Sequence, residues 1–483
     1  MNKRLIILSV PNIRVARVLL NDYVLQALKG NADIVAATPF AEDKSFQSEY
    51  SAAGVGFHQI NPLEPVRQPA RTLYTLSELT RTVAYYRKYR RRGLQYYWSM
   101  VSKQFGNDGQ DSRDPLLRRL IKEAASIIGL WRGAWRALDK LIGKTLFRSQ
   151  SFEQLIQQYE HITLVQASSW GDQDRMLSWY ARHLGFRTVL VPYTTDQLWV
   201  NGYLLCDYDA VCVQGRFEEQ CARNYHHLKD SSIVHLGSMW YRTVDKIRAN
   251  HPELNRSFDK DKKRVVLYAG VSRAYFPRES EFQAIDALIA ANQKKLLGNT
   301  KLVYRPYAME ADERAEIVKR YGNEELIQLQ WPEEACAGLY AFSGGLISTQ
   351  LLEYIQNLVQ ADVLIMSHTT SLGLDAAYLG CGVIANFSDE TGILARRETH
   401  LRFLENGTLD FAPDLPVVHT LPELISLVEV LLKDDKATKQ LAEQIVASWD
   451  YKPVDSQELL RTAVYGKEAR HQTVAMETVI RGY

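Results

Sequence analysis

The chain has little cysteine, five residues in 483. Cys206, Cys212, Cys221, Cys336 and Cys381 form no C-x-x-C pair, which excludes a thiolate metal ribbon or a dithiol redox motif. Buried thiols in a reducing compartment are the expectation. Long apolar runs are missing too. None approaches the ~20 residues that cross a bilayer. Residues 1–20 carry Lys3 and Arg4 before LIILSV, but Pro11, Arg14 and Arg17 interrupt the apolar stretch, so it reads as a first strand and not a leader. There is no excess of one charge: 58 Lys and Arg face 56 Asp and Glu, for a net +2. Global charge therefore names no partner. Residues 11–17 hold no G-x-G-x-x-G, so a dinucleotide fingerprint is absent there. No internal repeat or low-complexity tract occurs. No His, Cys and carboxylate cluster has metal-ligand spacing, so neither a metal nor a cofactor is implied.

What is present is an alternation of strand and helix patterns. Strands are expected at 4–10, 32–38, 55–60, 162–167, 188–192, 210–213 and 233–236. Helices fall between them, and residues 66–150 interrupt the series. A polar tract, DKIRANHPELNRSFDKDKK, predicts a linker over 246–263. Strands then resume at 264–269, 302–304, 327–329, 363–366 and 383–385, with helices at 279–291, 348–358 and 372–379. Residues 421–447 and 453–463 read as terminal helices. The prediction is an α/β protein of two doubly wound domains, 1–245 and 264–455, followed by a terminal segment over 456–483.

The stretch ADVLIMSHTTSLGLDAAYLGCGVIANF, residues 361–387, anchors this reading. Val363 to Met366 is an apolar strand that runs into Ser367, His368, Thr369, Thr370 and Ser371, and then a short helix. Unpaired amides at a helix start favour an anion, and the hydroxyls add donors. Asp375, one turn beyond Ser371, has the position and chemistry to accept hydrogen bonds from a ribose. The competing reading is that Thr370 or Ser371 merely caps the helix.

Here the chain resembles glycosyltransferases of the GT-B fold. SHTTSLGLDAAYLGCGVIAN is similar to the donor-phosphate segment of bacterial surface-polysaccharide transferases and of CDP-glycerol glycerophosphotransferases. PYTTDQLWVNGYLLCDYDAVCVQG and VHLGS also resemble the late first domain of such enzymes. The resemblance covers about 160–455, and the first sixty residues more weakly. It implies two Rossmann-like domains facing a cleft and a last helix that crosses back to the first domain. It also implies a nucleotide-sugar donor and a glycan or lipid-linked acceptor, in cytoplasmic synthesis of cell-surface polysaccharide. Transfer of a polyol phosphate from a CDP donor is the near alternative. Epimerases of nucleotide sugars share the fold, and a non-catalytic surface protein on the same scaffold stays open. Donor-site residues implied are Gly270, Ser272, Arg273, Arg305, Thr369, Thr370, Ser371 and Asp375. Tyr307 stands where these families often carry His, and Ala308 where they carry a second Pro. Arg305 would neutralise the leaving diphosphate, making a divalent metal unnecessary. For an inverting reaction, Asp172, Asp174 and Asp196 follow strand ends of the first domain and are the base candidates, although such residues are more often caps or surface groups. Asp207 and Asp209 spell D-x-D at the start of a strand, a match read as chance.

The interruption at 66–150 is basic. Between Arg81 and Arg148 stand 16 Lys and Arg against 5 Asp and Glu, a local +11 that leaves −9 elsewhere. Arg90, Arg91 and Arg92 lie in its densest cluster. Trp131 and Trp135 recur with Ile127, Leu130, Leu138 and Leu141 at helical spacing. Such a basic amphipathic helix suits an anionic membrane surface. An ordinary helix with a solvated basic face is the equal alternative. No nucleic-acid motif accompanies the basic residues, so nucleic acid is not expected.

Overall fold

The computed structural model describes residues 3–466 apart from 31, 51–53, 61–67, 89–119, 121–122, 126, 129–130, 132–133, 170, 201, 257–262, 272–275, 308–310, 332–346, 368–369, 391–412, 450–451 and 453. The chain divides into two compact units: Met1–Trp240 with Tyr451–Tyr483, and Tyr241–Asp450.

The first unit is built on seven parallel strands: β1 (Arg4–Ser9), β2 (Ala32–Thr38), β3 (Gly56–Gln59), β4 (His161–Gln166), β5 (Arg187–Leu190), β6 (Ala210–Val213) and β7 (Ile233–His235). Their order is β3-β2-β1-β4-β5-β6-β7. β1, RLIILS, is buried from Leu5 to Ser9, as a strand covered on both faces must be. The basic interruption carries helices Gln68–Lys88 and Ala134–Leu146, which lie between β3 and β4 in sequence. They pack on each other, and the second packs on helix Asp172–Leu184.

A buried ionic network joins the three helices. Arg175 bonds Asp139, and reaches Ser77 Oγ at 2.9 Å and Glu78 at 2.9 Å. Arg81 holds the other oxygen of Glu78 at 2.5 Å and donates to the Tyr203 carbonyl. Although burial opposes it, the two arginines keep Glu78 below the usual carboxylate range. Removing one member of such a set typically costs about 3–5 kcal/mol, because it strands a buried charge.

The last described helix, Ser456–Tyr465, packs on helix Asp22–Leu28 and on β4 to β7. Arg187 Nε donates to the Ala463 carbonyl at 2.8 Å, and Tyr465 Oη to that of Leu28 at 2.8 Å. The chain thus ends its described course on the first unit.

The second unit has six parallel strands: β8 (Arg264–Ala269), β9 (Thr300–Arg305), β10 (Ile327–Leu329), β11 (Val363–Met366), β12 (Gly382–Asn386) and β13 (Val417–Val418), ordered β10-β9-β8-β11-β12-β13. Both units are therefore doubly wound α/β folds, the architecture that the GT-B resemblance implies for each half.

Two expectations change. The polar tract taken as a linker starts as helix, since Met239–Asn250 runs through its first residues. Tyr241 on that helix stacks on Tyr378 at 4.0 Å, and Tyr378 Oη bonds Asp245 at 2.8 Å. Residues 421–447 form two helices, Leu421–Lys433 and Asp435–Trp449. The break is Asp434, whose carboxylate accepts from the amides of Lys436 and Ala437 at 2.9 and 3.0 Å. It competes with the helix for the backbone and starts a new one. The four described cysteines are buried thiols that form no disulfide with one another.

Candidate functional site

In the second unit the strand order reverses between β8 and β11, the place where open α/β sheets leave a crevice at their carboxyl ends. Ala269 is in register with Met366 on one side and Arg305 on the other. Gly270, Arg305 and the helix start after β11 therefore converge on one sheet edge.

Three features shape this edge. First, Thr370 is the N-cap of helix Ser371–Tyr378, extended at φ −136°, yet its side chain makes no capping bond. Thr370 therefore does not realise the simple capping reading. Ser371 beside it is exposed. The helix lies close on the sheet because residue 373 is glycine: a Cβ there would sit 2.4 Å from Met366 Cε. Second, Asp375 is 9% exposed, and its Oδ2 accepts from Tyr354 Oη at 2.6 Å. Tyr354 is on helix Ile347–Gln360. The Arg305 guanidinium lies over the same tyrosine ring, 5.8 Å from its centroid.

Third, the backbone after β8 is pinned from below. Glu281, buried on helix Arg278–Gln293, accepts from the Val271 amide at 3.1 Å and from Tyr304 Oη at 3.1 Å, and it pairs with Arg278. Burial raises the Glu281 carboxyl despite Arg278. A Cβ on Gly270 would fall 2.4 Å from Glu281 Oε1, so only glycine fits above it. Arg278 also holds the Tyr307 carbonyl at 3.2 Å. The residue that departs from the family pattern is thus engaged through its backbone. Ser272, Arg273 and Thr369 lie outside the described residues.

The first unit reverses order between β1 and β4. Ser9 and Gln166, in register, end those strands. Asp174 lies beneath them, 0% exposed. Ser9 Oγ donates to its Oδ1 at 2.6 Å, and Gln166 Nε2 reaches the same oxygen at 3.2 Å. Burial pushes this carboxyl up to about 7, against the hydrogen bonds of Ser9, Ser168 and Gln166. Ser168 lies near enough to oppose the shift, but Oδ2 itself makes no well-formed hydrogen bond. A group so enclosed cannot touch an acceptor, so Asp174 is corrected from a base candidate to a core residue. Asp172 is half-buried and accepts from Tyr74 Oη. Asp196 keeps an exposed surface. The desolvation that raises its carboxyl therefore counts for less than at Asp174.

The D-x-D carboxylates are committed separately. Asp207 pairs with Arg136 at 2.8 Å, while Asp209 accepts from the Thr188 amide at 2.9 Å. Among the described residues no group of three or more His, Cys, Asp and Glu is placed to hold a metal ion. The basic interruption is also corrected. Trp135 is 2% exposed and belongs to the interior, whereas Trp131 precedes the helix and is 79% exposed. The two do not share an outward stripe. Arg81 is buried in the ionic network, and Arg136 and Arg148 are paired with Asp207 and Glu153. Arg90, Arg91 and Arg92 lie outside the described residues.

Sequence reasoning missed Tyr354, Glu281, Ser9 and Gln166. The last two left a signal, since each is a polar residue closing an otherwise apolar strand at its carboxyl end. Tyr354 left none, because only the packing of two helices brings it to Asp375.

No family model matches this chain, and no curated protein matches it. Among solved structures, it is similar to a UDP-N-acetylglucosamine 2-epimerase at 12% identity and TM-score 0.48, covering 97% of this chain and 99% of that one. A UDP-GlcNAc 2-epimerase from Methanocaldococcus jannaschii matches at 11% and 0.46, over 96% and 100%. MurG from Acinetobacter baumannii matches at 10% and 0.42, over 95% and 98%. Every one of these TM-scores is below 0.5, a likeness too weak to bear on activity.

Proposed function

We propose that the chain is a glycosyltransferase that moves a sugar from a nucleotide sugar to a glycan or glycolipid acceptor in cell-surface polysaccharide synthesis. The observation that carries this is the convergence at the β8–β11 reversal. An arginine, a helix start that the Thr370 side chain does not cap, an exposed serine and a carboxylate share one edge with a glycine that admits no side chain. The helix amides and Ser371 suit the diphosphate, and Arg305 offsets the charge that develops on the leaving group. Asp375 suits the ribose. Of the three first-unit aspartates, Asp196 keeps the exposure an acceptor base needs. The basic interruption supports an acceptor at an anionic membrane surface. There Leu120, Ile127, Trp131 and Leu141 are exposed beside a local +11.

The test is thermal unfolding with UDP, CDP, GDP and inorganic pyrophosphate, since a ligand of the native state raises its stability. At least one nucleoside diphosphate is expected to raise the melting temperature. Ser371→Ala should weaken that modestly, because backbone amides remain. Asp375→Ala should weaken the nucleotide more than pyrophosphate. If no nucleotide stabilises the protein at millimolar concentration, the transferase reading fails.

A further inference from the structure

We infer that Tyr354 is a positioning residue that couples nucleoside recognition to diphosphate neutralisation at the donor site; the inference rests on the donor-site reading above. The geometry is that of one side chain with two duties. Its hydroxyl donates to Asp375 Oδ2 at 2.6 Å, within the range of short hydroxyl–carboxylate bonds. That bond holds one oxygen of the carboxylate. Its ring carries the Arg305 guanidinium 5.8 Å from the centroid, within the ~6 Å at which a ring quadrupole attracts a cation. Arg305 ends β9 and Asp375 sits on the helix after β11, with β8 between those two strands. Tyr354, from a third element, bridges the gap between them. A donor needs both groups at once, its ribose held and its leaving charge offset. A single tyrosine that orders both lowers the cost of organising them upon binding.

The experiment separates the two duties. Tyr354→Phe keeps the ring and removes the hydroxyl, so binding of a nucleoside diphosphate should fall about tenfold, as one hydrogen bond to a carboxylate would dictate. Pyrophosphate binding should be unchanged. Tyr354→Leu removes the ring as well and should weaken pyrophosphate too. Calorimetric titration with UDP, CDP, GDP and pyrophosphate reads this out, with thermal unfolding of the unliganded variants to check the fold. If Tyr354 acts through Asp375, adding Tyr354→Phe to Asp375→Ala should cause no further loss of nucleotide affinity. Wild-type binding with an unaffected Tyr354→Phe overturns this inference alone, as does an additive loss in the double variant. Failure of the wild-type protein to bind any of the nucleotides overturns the donor-site reading and the inference with it.

Discussion

Asp174→Asn should stabilise the protein at neutral and alkaline pH and leave it nearly unchanged in acid. The carboxyl is fully buried and titrates near about 7 in the native state. An unfolded chain releases that proton near about 3.9. The native state therefore binds the proton more tightly. Its contribution to stability is present below about pH 4 and is lost as pH rises towards about 7. At about 1.36 kcal/mol per decade, the full difference is about 4 kcal/mol for this one group. An asparagine has the same shape and no charge. Its oxygen can keep the bonds from Ser9 and Gln166, and its amide can donate from the position of Oδ2, which makes no well-formed hydrogen bond in the native protein. Urea unfolding at about pH 5 and about pH 8 should show the wild type losing stability between them and the variant losing less. The variant's advantage at the higher pH should reach a few kcal/mol, with an unchanged denaturant slope. Equal destabilisation of the variant at both pH values would refute the reasoning, because it would mean the native carboxylate is charged and held by its partners. If the proposed transferase activity is detected, its loss in a variant of raised stability would restore Asp174 as the base.

Gly143→Ala should cost about 1–3 kcal/mol despite alanine's better helix propensity, because a Cβ there would lie 1.9 Å from Trp179 Nε1; urea unfolding measures it. Trp131→Ala should reduce sedimentation with anionic liposomes at low salt and leave the melting temperature unchanged, as Trp131 is 79% exposed. Wild-type protein that sediments with neither anionic nor neutral vesicles would make the basic helices ordinary scaffold.

The parallel strands were legible because burial on both faces demands short continuous apolar runs. β2, β6, β8, β10 and β11 fall where the pattern puts them, to the residue. β13 was not, since Val417–Val418 is too short to show any periodicity and exists only by pairing with β12. Charge was the least legible property. A count of sixteen basic residues says how many there are and nothing of where they point. Arg81 looks like its neighbours in the sequence, yet it is 1% exposed and bonded to Glu78. Its burial depends on an acid three residues earlier on the same helix and on the Tyr203 carbonyl, which is far away in sequence.

Site residues divide along the same line. The strand and helix within residues 361–387 were legible locally, because a strand end and a helix start lie close together in the chain. Gly270 and Arg305 were placed by the same rule, each at or just past the carboxyl end of a strand. The base candidates followed that rule as well, and for Asp174 it misled. A carboxylate just past a strand end faces either the crevice or the core, and the choice is made by its neighbours. Ser9 and Gln166 end their strands with side chains that bond inward, and they draw Asp174 with them. Position along the chain locates the sheet edge. Which side of that edge a carboxylate occupies is decided by hydrogen-bond partners contributed from separate strands, and those become visible only once the strands are paired.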